Sequence, residues 1–182
     1  MKYPANCIAQ GRVETPLGPL TLLATERGLA AVLFNAQKYH PGEIDLPVDQ
    51  AQPHIARAAR ELSGYFAGRT RRFTVPLDPQ GTPFQRDVWR ALLEIDCGQL
   101  RSYGDIARRV GRPAAVRAVG AAVGRNPLGI VVPCHRVVGS DGSLTGFAAG
   151  LPRKRALLAL EGSLSAELLA DTAAETDAQV AA

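Results

Sequence analysis

The chain has 182 residues, 46% of them hydrophobic, which suits one domain of ordinary size or two small ones sharing an interface. A net charge of +4 and a pI near 9.2 give a mild basic bias, and no apolar run approaches the ~20 residues needed to cross a bilayer, so no membrane role is expected. Three widely spaced cysteines, Cys7, Cys97 and Cys134, make no disulfide framework; with no apolar segment in Met1-Lys2-Tyr3-Pro4-Ala5-Asn6, a cytoplasmic location with reduced thiols is expected.

The first part reads as β-rich. Residues 12–15, the turn Pro16-Leu17-Gly18-Pro19 and residues 20–24 predict a hairpin, and residues 28–34 a third strand. Residues 35–49, with Pro41, Gly42 and Pro47, form a polar loop. Ile55, Ala58, Ala59, Leu62, Tyr65 and Phe66 recur at helical spacing and predict a helix over 52–67. Residues 72–77 return as a strand. This half offers no catalytic constellation: His40 and His54 are isolated, and with Cys7 they lack ligand spacing, so no metal is expected.

Residues 78–83 read as a linker. Phe84, Val88, Trp89, Leu92, Leu93 and Ile95 make an amphipathic helix with Thr82 as N-cap and Pro83 at N1, and Trp89 reads as core. Cys97 sits in a turn and reads as structural. Ser102 caps a short helix to Arg109 with Asp105 at N3, Gly111-Arg112-Pro113 breaks it, and residues 114–123 form another. Helix, short turn, helix is the helix-turn-helix pattern, which any helical hairpin shares. The small residues Ala114, Ala115, Ala118, Gly120, Ala121 and Ala122 leave the second helix slim enough to approach a DNA groove. After Gly162 the chain is Ala-rich with scattered acids, and residues 165–182 are expected to be a disordered tail.

Gly129-Ile130-Val131-Val132 reads as a short buried strand that Pro133 must end, leaving Cys134, His135 and Arg136 at its tip. A thiol acts as a nucleophile through its thiolate, which a neighbouring base makes available. A lone Cys-His pair fits a buried strand-end cysteine as well. Between Arg101 and Arg155 the chain carries ten basic residues against only Asp105 and Asp141, so the segment with the cysteine is the basic one, as a phosphate-tracking surface requires.

Arg125-Asn126-Pro127 before this run, Thr145-Gly146-Phe147-Ala148-Ala149-Gly150 after it, and then residues 153–162 carry a resemblance. In detail from Phe84 to Gly162, and loosely back to Gly11, the chain resembles the O6-alkylguanine-DNA alkyltransferases. The resemblance implies an α/β protein of two domains: a small β-rich N-terminal domain of ribonuclease H-like fold at 1–80, and a mostly helical C-terminal domain with helix-turn-helix and active site at 81–164. It implies direct-reversal DNA repair, with irreversible transfer of an alkyl group from O6-alkylguanine, and also O4-alkylthymine, to Cys134. The partner is double-stranded DNA carrying alkylated bases, no cofactor is used, and the protein is a monomer in solution that can cluster on DNA.

A base alkylated at O6 lies inside the stack and must be flipped out before a thiolate can reach it. By resemblance, Cys134 is the nucleophile, His135 the base that draws its proton through a water, and Glu161 the carboxylate that orients the imidazole. Asn126 holds the active-site turn, Tyr103 donates to guanine N3, and Arg117 fills the gap left by the flipped base. Ser102, Ala118, Arg125 and Arg136 join Arg117 on the DNA face. Val137, Phe147, Ala148, Ala149 and Lys154 form the substrate pocket, with the Ala148 amide near O6. Without the resemblance each has an ordinary reading: a turn Asn, a half-buried Tyr, a solvated Arg and a helix C-terminal acid, the last being electrostatically unfavourable. The chain departs from the family pattern at Phe147, where relatives carry Tyr, and at Ala149-Gly150, where they carry Gly-Gly. Three other classes differ from this chain. Alkyltransferase-like binding proteins have Trp in place of the cysteine, methyl-sensing regulators add a cysteine cluster that this chain lacks, and cysteine hydrolases rarely place Cys and His adjacent.

Overall fold

A computed structural model describes residues 3–164, so the expected tail at 165–182 lies outside the described residues. Strands β1 (Ala9–Val13), β2 (Leu20–Ala24) and β3 (Leu29–Phe34) form an antiparallel sheet in that order, Val13 opposite Leu20 and Leu22 opposite Val32. The turn between β1 and β2 closes through Gly18 at φ 102°, donating to the Thr15 carbonyl, a backbone conformation that favours glycine. All six residues of β3 are buried, because the sheet is covered on both faces. Leu20, Leu22 and Phe34 pack with Ile55, Ala58 and Leu62 of α1 (Pro53–Phe66), while Leu23, Ala31 and Leu33 pack with Cys7 under Tyr3, Ile44 and Leu46. Each large apolar side chain taken fully from water contributes about 1.5–3 kcal/mol.

Residues 72–77 do not form the expected strand. Only Leu77 bridges Leu29, and Pro76 has no N–H to give. The Thr74 and Val75 amides donate instead to the Glu61 carboxylate of α1, so the ladder lacks its donors.

The second half begins as its sequence indicates. Thr82 caps α2 (Pro83–Leu92) in a reciprocal capping box with Gln85, and Ser102 does the same for α3 (Tyr103–Arg109) with Asp105. Helix α2 ends at Leu92 rather than Ile95. Helix α4 spans Val116–Gly124, and the Trp89 indole donates to the Ala122 carbonyl at 2.9 Å, fixing α4 to α2. Strand β4 (Arg101–Ser102) pairs in parallel with β5 (Val137–Val138), and α5 (Leu151–Leu160) closes the chain. Buried residues of the sheet, α1, α2, α4 and α5 run together in one core that also includes Cys134. The cysteine turn is therefore anchored to both halves.

Candidate active site

Residues 129–132 are a turn, not the strand expected. Leu128 alone bridges Val32, and Ile130 sits at φ 69°, a left-handed conformation that a β-branched residue adopts at a cost of about 1–3 kcal/mol. Side-chain bonding holds that strain in place. Asn126 donates from Nδ2 to the Val132 carbonyl at 2.8 Å, and its Oδ1 accepts from the Leu128 amide at 3.0 Å. Val132 bonds back to Leu128, Cys134 bonds back to Val132, and the turn docks on β3 through Val32. Pro133 then leads into a single 3₁₀ turn, Cys134–Arg136, whose three side chains are all buried.

Around Glu161 four donors converge. His135 Nε2 lies 2.9 Å from Oε1, and Arg136 grips both oxygens, Nε to Oε2 and Nη2 to Oε1, each at 2.8 Å. The Tyr65 hydroxyl, arriving from α1 some 96 residues away, donates to Oε1 at 2.8 Å. The third guanidinium nitrogen of Arg136 donates to the Ile95 carbonyl. These donors offset the unfavourable position of an acid at the C-cap of α5. They also hold the Glu161 carboxyl well below its usual range, against a burial that pushes the other way.

An ionised Glu161 can only accept, so His135 Nε2 carries the proton and Nδ1 is left with a lone pair. Nδ1 is buried without a hydrogen-bond partner in the protein. Burial pushes the imidazole below 6.5 and the Cys134 thiol above its ordinary value, the latter opposed in part by the Asn126 side chain and positive charge at Lys154. The resting pair is thus a neutral thiol beside a neutral imidazole. Thiolate can form when the imidazole takes the thiol proton, with Glu161 steadying the cation that results.

Cys134 faces a cleft of only about 20 Å³, walled by Phe34, Gln37, Val123, Asn126, Phe147, Ala148 and Ala149. That is room for about one water beside the sulfur, and residues 146–149 of the 143–150 loop form one side of it. The loop is tied at several points. The Lys38 amide donates to the Ala148 carbonyl, and the fully buried Lys154 donates from Nζ to Val137 and Thr145 carbonyls at 2.5 and 2.7 Å. Burial pulls Lys154 down to about 8. Val137 and Lys154, expected as pocket wall, are not among the residues that line it, and both are fully buried. Tyr103 is half-buried, with its hydroxyl 3.3 Å from the Thr145 carbonyl and its ring beside Gly120; burial pushes the phenol up, so it stays protonated.

Arg117 and Ala118 are exposed on the first turn of α4, and Arg125 is exposed at its end with its guanidinium 5.9 Å from the Tyr39 ring. The Ser102 hydroxyl is engaged by Asp105 in the capping box. Arg136 is not on this face. It is buried, and its donors are taken by Glu161 and Ile95, so the expectation that it meets DNA is corrected: its charge belongs to the Glu161 cluster. Among the described residues no group of three or more His, Cys, Asp or Glu is placed to hold a metal ion, and no helix is long and apolar enough to cross a membrane.

A family model described as 6-O-methylguanine DNA methyltransferase, DNA binding domain, matches residues 83–163, and one described as the ribonuclease-like domain of the same proteins matches residues 8–79. The chain belongs to the 6-O-methylguanine DNA methyltransferase family. It is 48% identical over 152 residues to a methylated-DNA–protein-cysteine methyltransferase of Methanosarcina acetivorans, covering 82% of this chain and 96% of that protein. A Mycobacterium tuberculosis protein of the same name is 47% identical over 151 residues, covering 83% and 90%. Among solved structures, Mycobacterium tuberculosis OGT in complex with DNA aligns with a TM-score of 0.80 at 46% identity, covering 86% of this chain and 94% of that one.

For this member of the 6-O-methylguanine DNA methyltransferase family, sequence reasoning missed the part of the site that the first half supplies. Phe34 and Gln37 line the cleft and Tyr65 bonds Glu161. Tyr65 reads as one apolar position of an amphipathic helix, and nothing near it in sequence marks the partner of its hydroxyl.

Proposed function

We propose that this protein reverses alkylation damage in DNA directly, with Cys134 as the acceptor of an alkyl group from O6 of guanine and, as a second substrate, O4 of thymine. The observation that carries the assignment is the position of Cys134 on the cleft, next in sequence to an imidazole that Glu161 orients. The other thiols lack that setting. Cys7 lies under the far face of the sheet, with burial pushing it up to about 11, and Cys97 lines a separate cleft beside Arg71 and Arg72. In the transfer, the Cys134 sulfur forms a bond to the alkyl carbon as the carbon–O6 bond breaks in line. The thiol proton passes through a water to His135 Nδ1. Guanine leaves with negative charge that the Tyr103 phenol stabilises by donating to N3, and the Ala148 amide sits near O6. The thioether is stable, so each molecule acts once and needs no cofactor.

The two domains divide the work, 1–80 bracing the site and 81–164 holding it and the helix-turn-helix. Helix α4 enters a groove of double-stranded DNA with its small, exposed face, Arg117 fills the stack behind the flipped base, and Ala118, Ser102 and Arg125 border the strand. The protein acts as a monomer that can cluster on DNA, in the reducing cytoplasm. Mixing it with a duplex containing O6-methylguanine and weighing the intact protein tests the reading: a gain of one methyl group per molecule is expected, and an unchanged mass overturns it.

Arg117→Ala should slow repair of a duplex by an order of magnitude or more while changing dealkylation of the free modified base little, since a free base needs no flipping. Comparing single-turnover rates on both substrates checks it; equal losses would place Arg117 in folding or chemistry. A second expectation concerns pH. The base must be neutral to accept the thiol proton, and burial holds His135 below 6.5, so the transfer rate should stay level as pH falls to 6.5 and drop only below it. A pH–rate profile with its acid midpoint at or above 6.5 would contradict a buried neutral imidazole.

A further inference from the structure

We propose that Arg153 is a specificity-determining residue that sets how large an adduct the Cys134 cleft accepts. This rests on the reading of Cys134 as the alkyl acceptor. Arg153, on the first turn of α5, meets three parts of the molecule at once. Its Nε donates to the Leu17 carbonyl of the β1–β2 turn at 3.0 Å, and its Nη1 donates to the Ala149 carbonyl at 3.0 Å. Its guanidinium also lies 4.6 Å from the centre of the Phe34 ring at the end of β3. Ala149 and Phe34 are both walls of the cleft that Cys134 lines.

The cleft is about 20 Å³, so any bulky group must push a wall back. Moving Ala149 breaks a hydrogen bond made by a full cation, and turning the Phe34 ring away loses its contact with the same cation. The planar fork of a guanidinium fixes both walls against the hairpin together, which a lysine, as a flexible point charge, cannot do. Arg153 touches neither the sulfur nor the imidazole: it is a positioning residue that acts through the two walls. The ties from the Lys38 amide and Lys154 do not involve it and keep the loop in place when it is replaced.

Single-turnover transfer is measured with DNA carrying O6-methylguanine and with DNA carrying O6-benzylguanine, for the wild type, Arg153→Ala and Arg153→Lys. The benzyl-to-methyl rate ratio is expected to rise by about fivefold or more in Arg153→Ala, the scale on which an apolar pocket separates groups of different size, with Arg153→Lys between the two. A ratio unchanged in folded Arg153→Ala overturns the proposal. If that variant melts below the assay temperature, Arg153→Lys carries the test, together with hydrogen exchange at the 146–149 amides, which should quicken; an unchanged ratio or unchanged exchange overturns it. Failure of every form, wild type included, to take up methyl would instead sink the acceptor reading.

Discussion

Cys134→Ser should abolish alkyl transfer while leaving DNA binding in place. A serine hydroxyl in the same buried turn is far harder to ionise than a thiol and a weaker nucleophile toward an alkyl carbon, so the same imidazole yields little of the attacking anion. A loss on the order of 10³-fold or more in single-turnover rate is expected, as for removal of a nucleophile elsewhere. Binding should persist because the exposed face of α4 and its arginine do not depend on the sulfur. The fold should persist too, since the turn is held by the Asn126 side chain and backbone bonds rather than by the thiol. Transfer by the variant within tenfold of wild type would contradict the assignment.

Glu161→Gln should have the largest effect on stability. It leaves the buried Arg136 guanidinium without its counter-charge and removes the anion that Tyr65 and His135 share. Breaking one side of a buried pair costs about 3–5 kcal/mol, which for a chain of this size is a fall of roughly 6–20 °C in Tm. Transfer should fall as well, because an amide can turn its NH₂ toward Nε2 and no longer steadies the imidazolium. In the double variant Glu161→Gln with Arg136→Met, stability should recover in part, since no uncompensated charge remains, while transfer should not. Linkage gives a further sign. Glu161 has a folded pKa below its unfolded value, so its contribution is complete above the usual carboxylate range and is lost as pH falls below it. Thermal unfolding from pH 7 to pH 3 should therefore show a steeper acid loss in the wild type than in Glu161→Gln. A Tm for Glu161→Gln within 2 °C of wild type would show that the carboxylate is not what holds Arg136.

Elements whose signals are local were legible in the sequence. The hairpin around Gly18, the capped starts of α2 and α3, and the apolar spacing of α1 each depend on residues a few positions apart; the helices stand where expected, and the hairpin forms with its first strand at Ala9–Val13 instead of 12–15. Two strands were misread for opposite reasons. At 72–77 the segment reads as a strand, yet Pro76 and the capture of two amides by Glu61 leave too few donors for a ladder. At 129–132 the apolar run was right about burial and wrong about conformation, because Asn126 imposes a turn that puts Ile130 into left-handed backbone. Composition cannot report such an override.

The same limit applies to the site. Cys134, His135 and Glu161 were picked out through the family resemblance, and the structure brings His135 and Glu161 into contact beside the cysteine turn. Arg136 was grouped with the surface arginines because its charge is visible in sequence and its burial is not. Tyr65 and Arg153 act through carbonyls and carboxylates far along the chain, so their partners exist only once the halves have packed.

The most direct measurement is a peptide map of the protein after reaction with a duplex containing O6-methylguanine. Mass spectrometry of the fragments should find the transferred methyl on Cys134, with the peptides of Cys7 and Cys97 unmodified. Methyl on either of those two thiols, with Cys134 unmodified, would contradict the assignment of the acceptor.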